Sequence, residues 1–328
     1  MTMLELVCPA GTPASLRAAV EAGADTVYCG FADETNARNF PGLNFSREEM
    51  AAGIEYAHER GTKVLVAINT FPQAGNEALW HRAVADAHTV GADAVILADI
   101  GLLAYTAKHH GDLRRHLSVQ AAAANPDVIN FYAEEFGVKR VVLPRVLSVP
   151  EIAAINREID TETEVFVFGG LCVMEEGRCS LSSYATGQSP NMNGVCSPAS
   201  HVVYEQSGDE LVSKLGEFTI DKVGQDAPAP YPTLCKGCFS AGARTGHVFE
   251  DAISLDAASL IPQMAKAGVT ALKIEGRQRS RAYVAAVVCS FRQAVKACAA
   301  GQSIPPSALA KLSEGQDNTL GAYRKTWR

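Results

Sequence analysis

Five of the nine cysteines in this chain stand within one stretch, at Cys172, Cys179, Cys196, Cys235 and Cys238. Each lies beside glycine, proline or charge, as in Gly169-Gly170-Leu171-Cys172, Gly177-Arg178-Cys179, Cys196-Ser197-Pro198 and Cys235-Lys236-Gly237-Cys238. Such neighbours put a thiol on a turn or loop, and loops can fold several sulfurs toward one point. Thiolates held together repel one another and call for a metal to neutralise them. The stretch from Phe168 to Cys238 is therefore expected to wrap a metal centre, with the rest of the chain as its scaffold.

Three other uses of cysteine compete with this one. Cysteine often only fills core volume, which suits Cys8, Cys29, Cys289 and Cys298 in their strand-like or helix-like apolar patterns. Disulfides need an oxidising compartment. The start Met1-Thr2-Met3-Leu4-Glu5 has neither a basic segment nor a long apolar run of the export type, so a reducing, cytoplasmic setting is expected. Structural zinc usually takes close cysteine pairs. Here only Cys235 and Cys238 form one, while Cys172, Cys179 and Cys196 stand singly. Iron–sulfur clusters also take four thiolates in several spacings. Spacing alone supports zinc and iron–sulfur equally.

The 328 residues suffice for one large domain or two smaller ones, and 47% hydrophobic with 20% charged residues is ordinary for a globular protein. The net charge of −7 is not the footprint of a protein that holds nucleic acid on a basic face, so nucleic acid is not the expected partner. No apolar run is long enough to span a bilayer. A hydrophobic substrate must then be presented by a partner or met at a membrane surface.

A short apolar strand followed by a helical pattern repeats along the chain. Strands are expected at 4–8, 26–30, 63–68, 94–98, 116–120, 140–143, 164–168 and 271–275. They are short, continuous and rich in β-branched residues, as in parallel strands buried on both faces. Ser46 with Glu49 makes a capping box, Asn125-Pro126 a capped helix start, and Ser148 a further cap. A helix is expected from Ser254 or Asp256 to about Ala267. Eight strand–helix units indicate an α/β fold, a (β/α)8 TIM-like parallel barrel, with a doubly wound open sheet as the alternative. The barrel is assigned to 1–168 and 254–300. A cysteine-rich insertion after strand seven takes 169–253, with minor strands near 202–204 and 217–221, and a polar tail takes 301–328.

Loops after the strands form the active face of such barrels. That face collects Asn69, Asp99, Gln120, Arg145, Glu275 and Arg277, with Asn36 and Arg38 from the second loop and Arg178 from the insertion. Several arginines around one cavity suit an anion, because guanidinium pairs bidentately with carboxylate. For any one of them, a solvated loop charge or a salt bridge is the simpler use. His58, His81, His88, His109, His110 and His116 show no two-histidine ligand spacing and are taken as surface residues. No Ser-His-Asp set can be argued, and no H-E-x-x-H, G-x-G-x-x-G or Walker loop occurs.

Several segments together resemble the collagenase-like peptidase family. They are Glu5-Leu6-Val7-Cys8-Pro9-Ala10-Gly11, Thr35-Asn36-Ala37-Arg38, Leu143-Pro144-Arg145-Val146-Leu147-Ser148, Glu176-Gly177-Arg178-Cys179, Tyr231-Pro232-Thr233-Leu234-Cys235-Lys236-Gly237 and Lys273-Ile274-Glu275-Gly276-Arg277. The likeness is strongest to the family's ubiquinone-biosynthesis branch and extends into the tail at Thr319-Leu320-Gly321-Ala322-Tyr323. It implies an oxygen-independent hydroxylase for the ring of prenylated ubiquinone precursors. It implies action as a heterodimer with a UbiV-like chain, alongside a lipid-carrier-like protein of the UbiT type. It also implies a [4Fe–4S] cluster on Cys172, Cys179, Cys196 and Cys235, with prephenate as oxygen donor.

Cys238 departs from that pattern and is the alternative fourth ligand. The catalytic candidates are Arg38, Arg145, Arg178, Glu275 and Arg277, four of them arginines suited to the two carboxylates of prephenate. RNA-base hydroxylation, as in other relatives, is the second functional alternative. A zinc-stapled scaffold without chemistry of its own is the third. Nothing in the sequence supports a protease mechanism.

Overall fold

The computed structural model describes residues 4–174, 176, 179–190, 195–224, 227, 229, 231–307, 309–313 and 318–324. Seven strands and six helices alternate first: β1 (Glu5–Pro9), α1 (Pro13–Glu21), β2 (Thr26–Cys29), α2 (Arg47–His58), β3 (Lys63–Ile68), α3 (Glu77–Thr89), β4 (Ala94–Leu97), α4 (Ile100–His109), β5 (Arg115–Leu117), α5 (Pro126–Phe136), β6 (Val138–Val142), α6 (Val149–Asn156) and β7 (Glu162–Gly170). The segment that follows holds α7 (Leu181–Thr186), a three-stranded antiparallel sheet of β8 (Val202–Ser207), β9 (Glu210–Leu215) and β10 (Phe218–Gly224), and a hairpin of β11 (Cys238–Ala241) and β12 (Arg244–His247). Then come β13 (Ser254–Asp256), α8 (Ile261–Lys266), β14 (Ala271–Ile274), α9 (Arg281–Ala299) and β15 (Asn318–Thr319).

β1 to β7 pair in sequence order, all parallel, and β14 bonds in parallel to both β1 and β7. The sheet is thus a closed eight-stranded parallel barrel with helices between its strands, the (β/α)8 architecture, and the open-sheet alternative falls. Alternation along the strands sorts the apolar residues. Leu6, Cys8, Val27, Cys29, Val64, Val66, Val95 and Leu97 face the helices, while Val7, Tyr28, Leu65, Ala67, Ala94, Ile96 and Ala271 cluster separately inside the barrel. The caps hold as read: Ser46 and Glu49 close a capping box, Asn125 accepts from the Val128 amide at 3.0 Å, and Ser148 pairs with Glu151.

Several expectations change. The helix placed at 254–267 begins only at Ile261, because Ser254–Asp256 is a strand. β7 has nine residues against four in β14, so its end projects past the barrel rim, and β13 pairs with it antiparallel. The polar tail packs back on the barrel: β15 adds to β13, and the Tyr323 hydroxyl donates to the Phe166 carbonyl. Cys289 is exposed rather than core, since the buried stripe of α9 runs through Val284, Val288, Phe291, Val295 and Cys298 and misses it. His116 is not a surface residue. It stands on β5, 2% exposed, accepting from Arg114 Nε at 3.0 Å. Burial, with Arg140 and Arg114 nearby, depresses its pKa well below the usual 6.5 and keeps it neutral.

Candidate functional site

A cavity of about 520 Å3 opens at the end of the barrel where the strands finish and runs down between them. Its lower wall is barrel interior: Tyr28, Ala67, Ile96, Val142, Phe166 and Lys273. Its upper wall contains Cys172, Cys179, Cys196 and Cys235, which are separated by up to 63 positions in sequence. Cys238 does not line it; that residue stands on β11, across from His247.

The four cavity cysteines sense one another. Cys196 raises the cost of ionising Cys172 and Cys235, and Cys179 does the same to Cys196 and Cys235. Burial, then Glu176, pushes the Cys172 thiol up to about 12. Cys196 is the solvent-facing member, yet the walls around it still push its thiol up, and burial does the same to Cys235. Among the described residues, no three histidine, cysteine or carboxylate side chains are gathered at the spacing of a finished metal site. The sulfurs share a cavity without meeting at a point. The donor set nonetheless fits a cluster of iron or a zinc ion. Four soft thiols line one space, and a bound metal removes the ionisation penalty that their burial imposes.

The charge around them is opposite to that of the chain as a whole. The cavity is lined by Arg38, Arg145, Lys236, Lys273, Arg277 and Arg279, against only Glu176 and Glu275. The chain itself carries −7. A low-dielectric cleft with an excess of cations concentrates anions.

Arg277, at the end of β14, is 6% exposed and donates to the amide oxygen of Asn36 at 2.7 Å. Burial lowers its pKa to about 10. Asn36, 1% exposed, also accepts from the Arg38 amide at 3.0 Å and donates to the Phe31 carbonyl at 3.1 Å. Its carboxamide sits where a Cβ on Gly30 would be, 2.5 Å away, so glycine is required there. Asn69, from the end of β3, accepts from the Ala37 amide at 3.1 Å and fixes the same loop. Asn36 and Asn69 thus build the frame that presents Arg38 and Arg277.

Arg145, after β6, is tied down. Its Nε donates to Glu176 Oε1 at 2.5 Å, an Nη donates to the Gly170 carbonyl, and its guanidinium lies 4.3 Å from the centre of the Phe166 ring. Burial opposes its charge, but Glu176 more than compensates, and its pKa is raised. Glu275 accepts from the Gly170 amide at 3.2 Å. Burial would raise its pKa, but Arg38 and Arg145 hold it below the usual range. Gly169 has φ of +109°, and a Cβ there would fall 2.8 Å from the Glu275 carbonyl oxygen, so glycine is required where the end of β7 passes Glu275.

Most of the residues read from strand ends therefore do converge: Arg38, Arg145, Glu275, Arg277, Asn69 and Gln120 all line the cavity, and Asn36 supports it. Asp99 does not. It caps α4, accepting from the Leu102 amide at 2.7 Å. Arg178 lies outside the described residues. Lys273 and Glu176 were missed as site residues. Lys273 is 5% exposed, bonded to Glu164 and 3.8 Å from the centre of the Tyr28 ring. Burial lowers its pKa, with Glu164 opposing. A lone lysine inside an otherwise apolar buried strand was the available signal.

The chain matches Peptidase family U32 over residues 11–322. It belongs to that family. It is 33% identical over 326 residues to tRNA hydroxylation protein P of Escherichia coli (strain K12), covering 94% of this chain and 71% of that protein. It is 33% identical over 300 residues to tRNA hydroxylation protein P1 of Bacillus subtilis (strain 168), covering 89% and 63%. A third U32 relative, the 23S rRNA 5-hydroxycytidine C2501 synthase of Escherichia coli (strain K12), is 28% identical over 298 residues, covering 90% of this chain and 39% of that protein. These three relatives are named for tRNA hydroxylation or for 5-hydroxycytidine synthesis in 23S rRNA.

Proposed function

We propose that this U32 chain is the cysteine-bearing subunit of an oxygen-independent hydroxylase for prenylated ubiquinone precursors. It would be a UbiU-type protein, working beside a UbiV-like partner and a lipid-carrier-like protein of the UbiT type. The observation that carries this is one cavity that combines four cysteine thiols with an excess of cations at the mouth of a parallel barrel. Cys172, Cys179, Cys196 and Cys235 would hold a [4Fe–4S] cluster, which when bound supplies one-electron transfer. Cys235 is favoured over Cys238 as fourth ligand because Cys238 stands off the cavity wall.

The chain's own residues then divide the work. Arg38 and Arg277, framed by Asn36, suit the carboxylates of a co-substrate such as prephenate. Arg145 is already committed to Glu176 and holds the wall. Tyr28, Ile96, Val142 and Phe166 offer an aromatic ring an apolar seat that excludes water. No helix among the described residues is long and apolar enough to cross a membrane.

RNA-base hydroxylation is the second reading, favoured by the names of the relatives. A strain lacking this chain, grown without oxygen, separates the two. Loss of ubiquinone with accumulation of an under-hydroxylated prenylated precursor, and unchanged hydroxylated RNA bases, is expected. Normal ubiquinone with loss of a hydroxylated base would replace the first reading by the second. A protein that binds only zinc and leaves both products unchanged would be a scaffold.

A further inference from the structure

Arg38 reaches the cavity from the long loop between β2 and α2. Amide side chains pin its backbone on both sides. Asn36 Oδ1 accepts from the Arg38 amide at 3.0 Å, and Asn44 Nδ2 donates to the Arg38 carbonyl at 2.7 Å. A carbonyl can only accept, so the nitrogen end of the Asn44 amide has to face it. Asn44 is 7% exposed and one of two non-glycine residues with positive φ among the described residues, at +75°. Left-handed backbone costs an L residue free energy. Asn44 Oδ1 is also buried without a partner among the described residues, a second cost. A glycine would remove both and keep the backbone bond to the Gly11 carbonyl at 2.6 Å. What glycine would lose is the bond to Arg38.

Gly11 in turn lies against Arg277: a Cβ there would fall 1.8 Å from the Arg277 carbonyl oxygen. The Arg277 side chain donates at 2.7 Å to Asn36 Oδ1, the same oxygen that holds the Arg38 amide. These contacts close a circuit, from Arg38 through Asn44 and Gly11 to Arg277 and back through Asn36. We propose that Asn44 is a positioning residue for anion binding, fixing the Arg38 backbone so that the guanidinium groups of Arg38 and Arg277 stand at a set spacing before the ligand arrives. This rests on the reading of these two arginines as the carboxylate site. Asn44 does not line the cavity and acts only through Arg38. An Arg38 pinned on one side alone would have to be ordered at the moment of binding, at a cost of about fivefold in affinity for one backbone residue.

The test is a double-mutant cycle on the full chain, purified without oxygen together with any partner that accompanies it. It is read by calorimetric titration with phthalate, an aromatic dicarboxylate. Arg38→Gln should weaken phthalate about tenfold. Asn44→Gly should weaken it about fivefold, with the thermal midpoint level or higher, and should add no further loss in the Arg38→Gln background. Asn44→Asp keeps the shape but has no N–H to give. It should show the same loss and the same dependence on Arg38, and it carries the test should Asn44→Gly not fold. Unchanged affinity in the Asn44 variants, an equal loss with and without Arg38, or no binding of phthalate by the unaltered protein would overturn the proposal. The ubiquinone assignment fails separately: coupling of Asn44 to Arg38 with normal quinones in the deletion strain keeps the anion site and removes only that substrate.

Discussion

The two ends of the barrel interior treat buried charge in opposite ways. At the end where the strands begin, Arg140 reaches Glu5 at 2.6 Å, Glu162 at 2.7 Å and Glu164 at 3.3 Å, while Glu164, fully buried, also holds Lys273. Arg114 adds a second bond to Glu162 at 2.8 Å. Every carboxylate there has a cation, and Arg140 holds Glu5 and Glu162 below the usual range despite burial. At the other end, Arg277 rests on an amide oxygen, Glu176 and Gln120 each leave an oxygen without a hydrogen-bond partner among the described residues, and cations outnumber carboxylates along the cavity. One end is electrostatically closed and serves the fold. The other is left open, as a binding site must be, because complementarity to a ligand is a lack of complementarity without it.

Substitutions can break that contrast. The largest effect is expected for Cys235→Ser at the open end: loss of bound iron and of hydroxylation, with the thermal midpoint of the metal-free protein unchanged. Cys238→Ser should keep its iron; the reverse result would exchange the two as ligand. At the closed end, Arg140→Met should cost about 3–5 kcal/mol in denaturant unfolding, since it strips Glu164 of one of two cations in the dry interior. Arg277→Gln is the sharper comparison. It removes a buried guanidinium that makes no ion pair among the described residues. Stability should stay level or rise by about 1 kcal/mol, while affinity for a carboxylate probe falls roughly tenfold. A large destabilisation instead would place Arg277 with the structural charges.

The smallest effect concerns His116, whose neighbours are Arg114, Arg140, Lys273 and Lys63. Below its ordinary pKa of 6.5 the unfolded chain binds a proton there that the folded chain refuses. Stability should therefore fall as pH drops below that value, by up to about 1.4 kcal/mol per pH unit. His116→Gln should flatten the curve between about pH 6.5 and about pH 5. The steeper loss from Glu5 and Glu162 comes only at lower pH, below their ordinary 4.5, and should remain.

The barrel was legible because its strands and caps are local signals: runs such as Val64-Leu65-Val66, and Ser46 followed by Glu49. Strand closure was not local, and only the bonds of β14 to both β1 and β7 show it. Strand ends located Arg145 and Arg277 but mistook Asp99, because a carboxylate after a strand can equally cap the next helix. Glu176 was read as part of a motif only. Its place in the cavity wall is fixed by the ion pair with Arg145, a tertiary contact that no spacing encodes. The same holds for β13, whose three residues are strand only because β7 overshoots its neighbour.

The central claim is that four thiols from distant positions close around iron at the open end of the barrel. Iron, acid-labile sulfide and zinc measured on protein purified without oxygen test it most directly. Close to four irons and four sulfides per chain, lost in Cys172→Ser, Cys179→Ser, Cys196→Ser and Cys235→Ser, is the expected result. Colourless protein without sulfide, or one zinc per chain, would contradict it.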